Sequence, residues 1–350
     1  MGMKARPLVK IGYENNIPLV GTLAFGLIDR GTNLIQVRPI SGCTLNCIFC
    51  SIDEGPFSKS RFARYYVELD YLMEWFKELA RYKGNDGIEA HIDCAGEPTL
   101  YPELEELVAR LKEVKGVEVI SMQTHGTLLN ERKVDRLEAA GLSRINLSID
   151  SMNGERARLL SGVKGYDVER VLRLAEYIAR SNIDLLIAPV WVPGFNDEDI
   201  PKIVEFALRI GAGKRWPPLG IQKYEAHKRG RRPARPWTYQ TFYRRLAELE
   251  KRFGVRLRLR RSDFGIRKRP MLPIPFERGE AVKVKVVSLG WMYDEAIGVA
   301  RKRAVTITGL PFYKEGLELK VRIEKTKHNI IVARPTEKAL MTLRLIYRNR

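Results

Sequence analysis

Three cysteines fall within eight residues of the stretch Ser41-Gly42-Cys43-Thr44-Leu45-Asn46-Cys47-Ile48-Phe49-Cys50-Ser51, spaced C-x3-C-x2-C. Thiolate sulfur is a soft ligand that suits iron–sulfur clusters or zinc. The count matters as much as the spacing. A structural zinc site or an ordinary cubane cluster is closed by four protein ligands, and no fourth cysteine or histidine stands nearby in sequence. Three protein thiolates on a four-iron cluster leave one iron open to a ligand from solution. The competing readings are a zinc knot completed by a distant His91 or His125, or cysteines buried as core.

With an aromatic residue, Phe49, directly before the third cysteine, the motif resembles the signature of the radical S-adenosylmethionine (SAM) enzymes. The resemblance implies that Cys43, Cys47 and Cys50 hold a [4Fe–4S] cluster whose fourth iron is chelated by the amino and carboxylate groups of SAM. Reduction, by an electron donor such as a ferredoxin or flavodoxin, would then cleave SAM to a 5′-deoxyadenosyl radical that abstracts a hydrogen atom. The cofactor carries the hard chemistry, and the protein supplies position.

Such a site has to be held by a framework. Residues 33–39 read as a strand running into the cysteine loop, and strand patterns recur at 87–94, 117–122, 144–149, 183–192 and 219–223. Helical periodicity covers 68–83, 104–114, 130–140, 168–180 and 198–210. About six βα units imply an α/β fold with a parallel sheet and helices outside; the family resemblance implies a partial (β/α)6 barrel. We expect an N-terminal extension, a hairpin, over 1–32, a catalytic core over 33–224, a basic connector over 225–275, a small barrel over 276–335, and a basic tail over 336–350.

In parallel α/β folds, sites form at the carboxyl ends of the strands. Gly96-Glu97-Pro98 resembles the family's glycine–glutamate–proline motif, which implies that the Glu97 carboxylate accepts from SAM's ammonium. Ala95 stands where the family often has a further glycine. Thr124 lies in a turn, 123–127, like the family's polar–glycine turn. Ser148 and Asp150 are placed to reach the SAM ribose or carboxylate, and Asn196 lies in a turn resembling the one that flanks the adenine. Cys94 and His125 are the candidate catalytic residues, as a thiol hydrogen-atom donor and a proton carrier. The alternatives are a core cysteine and a supporting histidine; His91 is weighed in the same way as His125.

The net charge of +19 is uneven. Residues 1–212 carry 26 Lys+Arg against 30 Asp+Glu, a net of −4, whereas 213–270 carry 19 against 4, a net of +15. Residues 276–350 carry 16 against 8, a net of +8. Such asymmetry points to a polyanionic partner, RNA in the first instance. Lys228, Arg229, Arg231, Arg232 and Arg235 are the candidate phosphate contacts, interleaved with Trp216, Tyr224, Trp237 and Tyr239 as stacking surfaces. Residues 238–253 read as one amphipathic helix, and 255–260 as a strand with one cationic face. No run of about 18 apolar residues exists to span a membrane, and the start of the chain carries no long apolar stretch of a signal peptide. Four cysteines, three of them clustered, fit a reducing cytoplasm better than a disulfide framework. Only four glutamines beside abundant Arg, Lys and Glu lean thermophilic.

The tail shows short alternating strands at 281–287, 297–301, 304–308, 317–323 and 330–333, with turns at 290, 309–311 and 316. This resembles a TRAM-type, OB-like RNA-binding barrel. The run 96–103 resembles the branch that contains molybdopterin-biosynthesis and wyosine-type tRNA enzymes. With one cysteine outside the signature, a second cysteine-ligated cluster is excluded, and with it the methylthiotransferases. The expected activity is radical-SAM modification of a nucleotide in RNA, tRNA above all. The alternatives are a small-molecule substrate in cofactor biosynthesis, or an RNA-binding protein with the cluster as a staple. Because the cluster and SAM loops all precede residue 224, removal of 276–350 is expected to weaken RNA binding while leaving SAM cleavage measurable. Anaerobically reconstituted protein should hold one [4Fe–4S] cluster and release 5′-deoxyadenosine with dithionite and SAM. Alanine at Cys43, Cys47 or Cys50 should abolish both, whereas one zinc per chain and no SAM cleavage would defeat the assignment.

Overall fold

A computed structural model describes residues 6–310 and 314–348. Its central sheet has six strands: β1 (Gly26–Asp29), β2 (Leu34–Arg38), β3 (Ile88–Ile92), β4 (Val117–Thr124), β5 (Arg144–Leu147) and β6 (Asp184–Ile187), in spatial order β6-β5-β4-β3-β2-β1. Strands β2 to β6 run parallel, and β1 pairs antiparallel with β2. The helices α1 (Leu69–Tyr82), α2 (Leu104–Lys112), α3 (Glu131–Ala140), α4 (Gly154–Ser161), α5 (Val168–Arg180) and α6 (Asp199–Arg209) occupy the connections. Local chemistry sets their ends. Asn130, Asn153 and Asp167 accept from the N–H groups three residues on, and Gly141 and Gly162 adopt the left-handed conformation that closes α3 and α4. Helix α5 buries Val171, Leu174, Ala175 and Ile178 along one stripe.

Before the barrel, the chain departs from the sequence reading in four places. The segment expected as an extension supplies β1, an edge strand of the core sheet, so the hairpin is β1–β2 with its turn around Gly31. The strand expected at 183–192 breaks after Ile187, because Pro189 has no N–H for the ladder; the remainder, Val190–Trp191, pairs with Gln222–Lys223, and Leu219 bridges Ile187. Helix α4 was not foreseen. Residues 255–260 form no strand: the Glu250 carboxylate, on helix α7 (Tyr239–Phe253), accepts from the backbone N–H groups of Leu257 and Arg258 that a ladder would have used.

The tail closes into a five-stranded barrel of β7 (Ala281–Leu289), β8 (Glu295–Ala300), β9 (Arg303–Thr308), β10 (Glu318–Lys325) and β11 (Val332–Pro335), in the order β7-β8-β9-β11-β10. Strand β7 shows why: Val282, Val284 and Val286 point inward and Lys283 and Lys285 outward. The presumed basic tail is largely a helix, α8 (Glu337–Arg348), whose Leu343 packs into the barrel core. Of the turn expected at 309–311, residue 311 lies outside the described residues.

The barrel is continuous with the catalytic core. Ala304 and Ile331 donate backbone hydrogen bonds to Val20 and Gly21, at 2.9 and 2.7 Å. A Cβ on Gly21 would lie 1.9 Å from the Ala304 carbonyl oxygen, so only glycine allows this approach. Trp291, Ile297 and Ala304 belong to the main hydrophobic core. These contacts argue against the expectation that SAM cleavage stays measurable once 276–350 is removed. A chain ending at residue 275 should be insoluble or lack cooperative unfolding, and the full-length Trp291→Ala should lose about 3–5 kcal/mol in chemical denaturation. A soluble, cooperatively folding truncation would contradict this.

Candidate active site

The cysteine loop leaves β2 through Ser41–Gly42, a two-residue strand that pairs in parallel with Ala95–Gly96 beyond β3. The two loops meet through their backbones. Glu97 N–H donates to Gly42 O at 2.8 Å. Gly96 has φ +141°, and a Cβ there would lie 1.8 Å from the same oxygen, so this position requires glycine. Beside them opens a cleft of about 450 Å³ into which Cys43, Cys47, Cys50, Phe49, Cys94 and Gly96 all face.

Three distant segments hold the cysteine loop. The first is the end of α4, whose terminal carbonyls have no partner within the helix. Asn46 N–H donates to Ser161 O at 2.8 Å and Ile48 N–H to Leu160 O at 2.9 Å. The second is Arg231. Its guanidinium donates to Cys47 O, Asn46 Oδ1 and Glu54 O at 2.8, 2.8 and 2.9 Å, and its Nε pairs with Asp53 at 2.8 Å. Its own N–H reaches Cys50 O at 2.9 Å, and a Cβ on the preceding Gly230 would lie 2.8 Å from that oxygen. The third is the barrel. Trp291 Nε1 donates to Glu54 Oε2 at 3.2 Å, Arg6 pairs with the same carboxylate at 2.5 Å, and the Arg61 guanidinium lies 3.5 Å over the Trp291 ring.

This loop fits a cluster. Backbone N–H groups of Leu45 and Glu54 point at Cys43 Sγ and Cys50 Sγ, both at 3.4 Å. Among the described residues no three His, Cys, Asp or Glu side chains converge on one point as a single metal ion would need. A cubane asks for something different, since each thiolate takes its own iron. Burial pushes the Cys43 thiol up to about 12, with the Glu97 charge adding to it, and pushes Cys47 well above the ordinary thiol range. A bound cation is what makes thiolates favourable in such surroundings.

The remaining predicted residues divide sharply. Phe49, Gly96, Ser148, Cys94 and His125 line the cleft. Cys94 is buried, which raises its thiol far above the usual range, and Ser148 Oγ accepts from Gln123 at 2.9 Å. Asp150 sits in a small side recess beside Cys47 and His125. Burial raises its carboxyl, the neighbouring His125 acts the other way, and Val190 N–H donates to it at 2.8 Å. Glu97 does not face the cleft. It is fully buried and its carboxylate already accepts four hydrogen bonds, from Thr99 N and Oγ1, Thr124 Oγ1 and His125 N, at 2.6 to 3.1 Å. Three of the four fall on Oε1 and one on Oε2, which leaves Oε2 with a lone pair. Thr124 is used in the same knot. Asn196 is also fully buried: it accepts from Val192 N and donates to Asp150 O and Val190 O. In this structure all three residues hydrogen-bond loops of the protein itself.

The basic set splits too. Arg231 belongs to the cysteine loop, and Arg229 pairs with Glu295 of the barrel, so neither is a free phosphate contact. Lys228, Arg232 and Arg235 are exposed. What the sequence reading missed, the clamp by Arg231, Glu54, Trp291 and the α4 terminus, had one local signal, the Asn153 and Gly162 caps of an eight-residue helix.

A profile of the radical SAM superfamily matches residues 37–207. An uncharacterized protein of Methanocaldococcus jannaschii is 46% identical over 339 residues, 91% of this chain and 78% of its own. The GTP 3',8-cyclases of Chlorobaculum tepidum and Aquifex aeolicus are 29% and 28% identical over 61% and 54% of this chain, which spans 60% and 57% of their lengths. The structure of Streptococcus suis SuiB aligns with 70% of this chain and 50% of its own, at 20% identity and a TM-score of 0.49, too loose a likeness to bear on function. No helix among the described residues is long and apolar enough to cross a membrane.

Arg231→Met keeps the stem and removes every side-chain donor of this residue. Breaking a largely buried, hydrogen-bonded pair costs on the order of 3 kcal/mol, so denaturation should shift by about that much and iron per chain should fall after reconstitution. Lysine at this position should rescue only in part, because an ammonium cannot fork between four acceptors. Unchanged stability and full iron content in Arg231→Met would remove the clamp from the account.

Proposed function

Because the chain belongs to the radical SAM superfamily, and so is an enzyme that works with SAM and a [4Fe–4S] cluster, we propose that it modifies a nucleotide within RNA, tRNA in particular. In this reading Cys43, Cys47 and Cys50 hold the cluster, and Phe49, Gly96, Ser148 and Asp150 border the SAM beside it. When bound and reduced, the cluster and SAM together supply a carbon-centred radical that abstracts a hydrogen atom. The protein's own part is to keep the loops rigid and the cleft narrow. The Glu97–Thr124 knot and Asn196 do the first, and burial of Leu45 and Phe49 against Leu160 and Val192 does the second.

The observation that carries the RNA reading is a second cleft, about 480 Å³, in the seam between barrel and core. Ser51, Ile52 and His227 line both clefts, so the seam opens beside the cluster loop. Lys228 and Lys325 line it and make no ion pair among the described residues, while Arg229 and Arg334 are engaged with Glu295 and Glu324. With Arg232 and Arg235 exposed just beyond, cations are available along a path to the cluster, as phosphate neutralisation requires. A TRAM-like role for the barrel follows from this reading.

A second reading has support of another kind. The curated relatives named GTP 3',8-cyclase favour a free nucleotide as substrate, and the seam is of a size that takes one. Mass spectrometry of tRNA nucleosides from cells with and without the gene should reveal one missing modification. In filter binding, neutralising Lys228, Arg232 or Arg235 should flatten the salt dependence by up to about one unit each. Flat, weak tRNA binding with intact nucleosides would favour the free nucleotide.

A further inference from the structure

Next to Cys94 on the cleft wall stands His91, at the end of a buried chain that the cluster chemistry does not use. His91 Nδ1 lies 2.7 Å from Ser121 Oγ, and Ser121 Oγ donates to Glu89 Oε1 at 2.6 Å. The same carboxylate oxygen accepts from Arg144 at 2.6 Å, and both members of that ion pair are 3% exposed. The positions of the protons follow from this order. Glu89 Oε1 already accepts from a guanidinium, which can only donate, and so serves as an acceptor. Ser121 must therefore point its single hydrogen at Glu89, and its oxygen can only accept from the imidazole. The His91 proton then sits on Nδ1, which leaves Nε2 with a bare lone pair. Nε2 makes no hydrogen bond among the described residues, and the ring lines the cluster cleft.

We infer that His91 Nε2 is an acceptor site inside the reaction cleft for a hydroxyl or amino hydrogen of the substrate. Burial favours a neutral ring here, against the two carboxylates nearby. Burial lowers its basicity most; Arg144 and Arg38 act in the same direction, and Asp93 and Glu89 oppose them. Asp93 is itself engaged with Gln36 and Arg38, at 2.7 and 3.2 Å. A neutral imidazole with one fixed tautomer accepts a hydrogen bond at neutral pH without a protonation step. The substrate carbon that loses its hydrogen is thereby oriented through the heteroatom it carries. Bare acceptors of this kind also discriminate: an analogue without the donor leaves Nε2 desolvated and unpaired.

The tautomer can be read directly. The chain has four histidines, so protein labelled with ¹⁵N-histidine gives few ring signals, and His91→Gln identifies the pair in question. The expected result is a neutral ring protonated on Nδ1 at pH 7, which stays neutral as pH falls past the point where an exposed histidine charges. Ser121→Ala should release the pin and give a mixture of tautomers; Glu89→Gln should do the same where it folds. An Nε2–H tautomer or a charged ring at pH 7 overturns the inference. The choice of ligand, which rests on the RNA reading, is tested by adding SAM alone, then unmodified tRNA, then GTP. A shift of the Nε2 signal with tRNA supports the site as proposed. A shift with SAM alone assigns the acceptor to the cofactor and overturns it. Bound tRNA with no shift overturns it while leaving the RNA reading intact. If tRNA does not bind at all, the RNA reading fails; a shift with GTP then keeps the acceptor site for a small substrate, and none removes it.

Discussion

The structure depends on the Arg231 guanidinium being held among backbone carbonyls of the cysteine loop. A loop that must present three sulfurs cannot be regular, and irregular backbone leaves carbonyl oxygens without ladder partners. Cys47, Cys50 and Glu54 are such residues, and Arg231 with its own N–H satisfies all three. The charge is balanced by Asp53, whose carboxyl burial would raise but which hydrogen bonds from Ser60 and the Arg231 charge bring below the ordinary range. One side chain therefore does what a neighbouring strand would do elsewhere. Its planar fork suits this geometry in a way an ammonium does not.

The clamp also explains why chain order and spatial order disagree. The loop at 43–50 is finished only by residues 160–162, 230–231 and 291, so the site is complete when the connector and the barrel have arrived. Glu54 is where these contacts meet. It accepts from Arg6 and Trp291 and donates its N–H to Cys50 Sγ. A carboxylate buried to 2% exposure is costly unless paired and hydrogen-bonded, so the loss of any one partner is felt at the sulfur next to it. That coupling makes the barrel part of the cluster's support, whatever it grips on its outer face.

The sequence carried the fold well wherever the signal was local. Alternating βα periodicity, cap residues and the in–out pattern of β7 all act within a few residues, and they gave the parallel sheet and the barrel. The cysteine spacing carried the family. What the sequence did not show is which hydrogen bonds a side chain makes with distant parts of the protein. Glu97 and Asn196 stand where a ligand contact was expected, yet a carboxylate and an amide are also the side chains that best fill the unpaired backbone groups of a turn. Only the hydrogen-bond inventory separates the two uses. Arg231 failed for a similar reason: in a run of arginines, net charge cannot say which cations are already paired. Pro189, by contrast, was visible in the sequence, and its missing N–H was reason enough to end β6 early.

The same inventory shows why the cationic excess is smaller in effect than its count. Of five basic residues in the connector first read as one patch, Arg231 is committed to the cysteine loop and Arg229 to the barrel, which leaves Lys228, Arg232 and Arg235 facing solvent. An ion pair presents little field beyond its own length in water, so paired arginines add stiffness and hardly any attraction for a polyanion. Lys228 and Lys325, which make no ion pair among the described residues, face the seam next to Ser51 and Ile52, the two residues that follow Cys50. The connector's basic residues thus divide one by one: Arg231 fixes where the cysteine loop stands, Arg229 ties the connector to the barrel, and Lys228, Arg232 and Arg235 stay without an ion pair among the described residues.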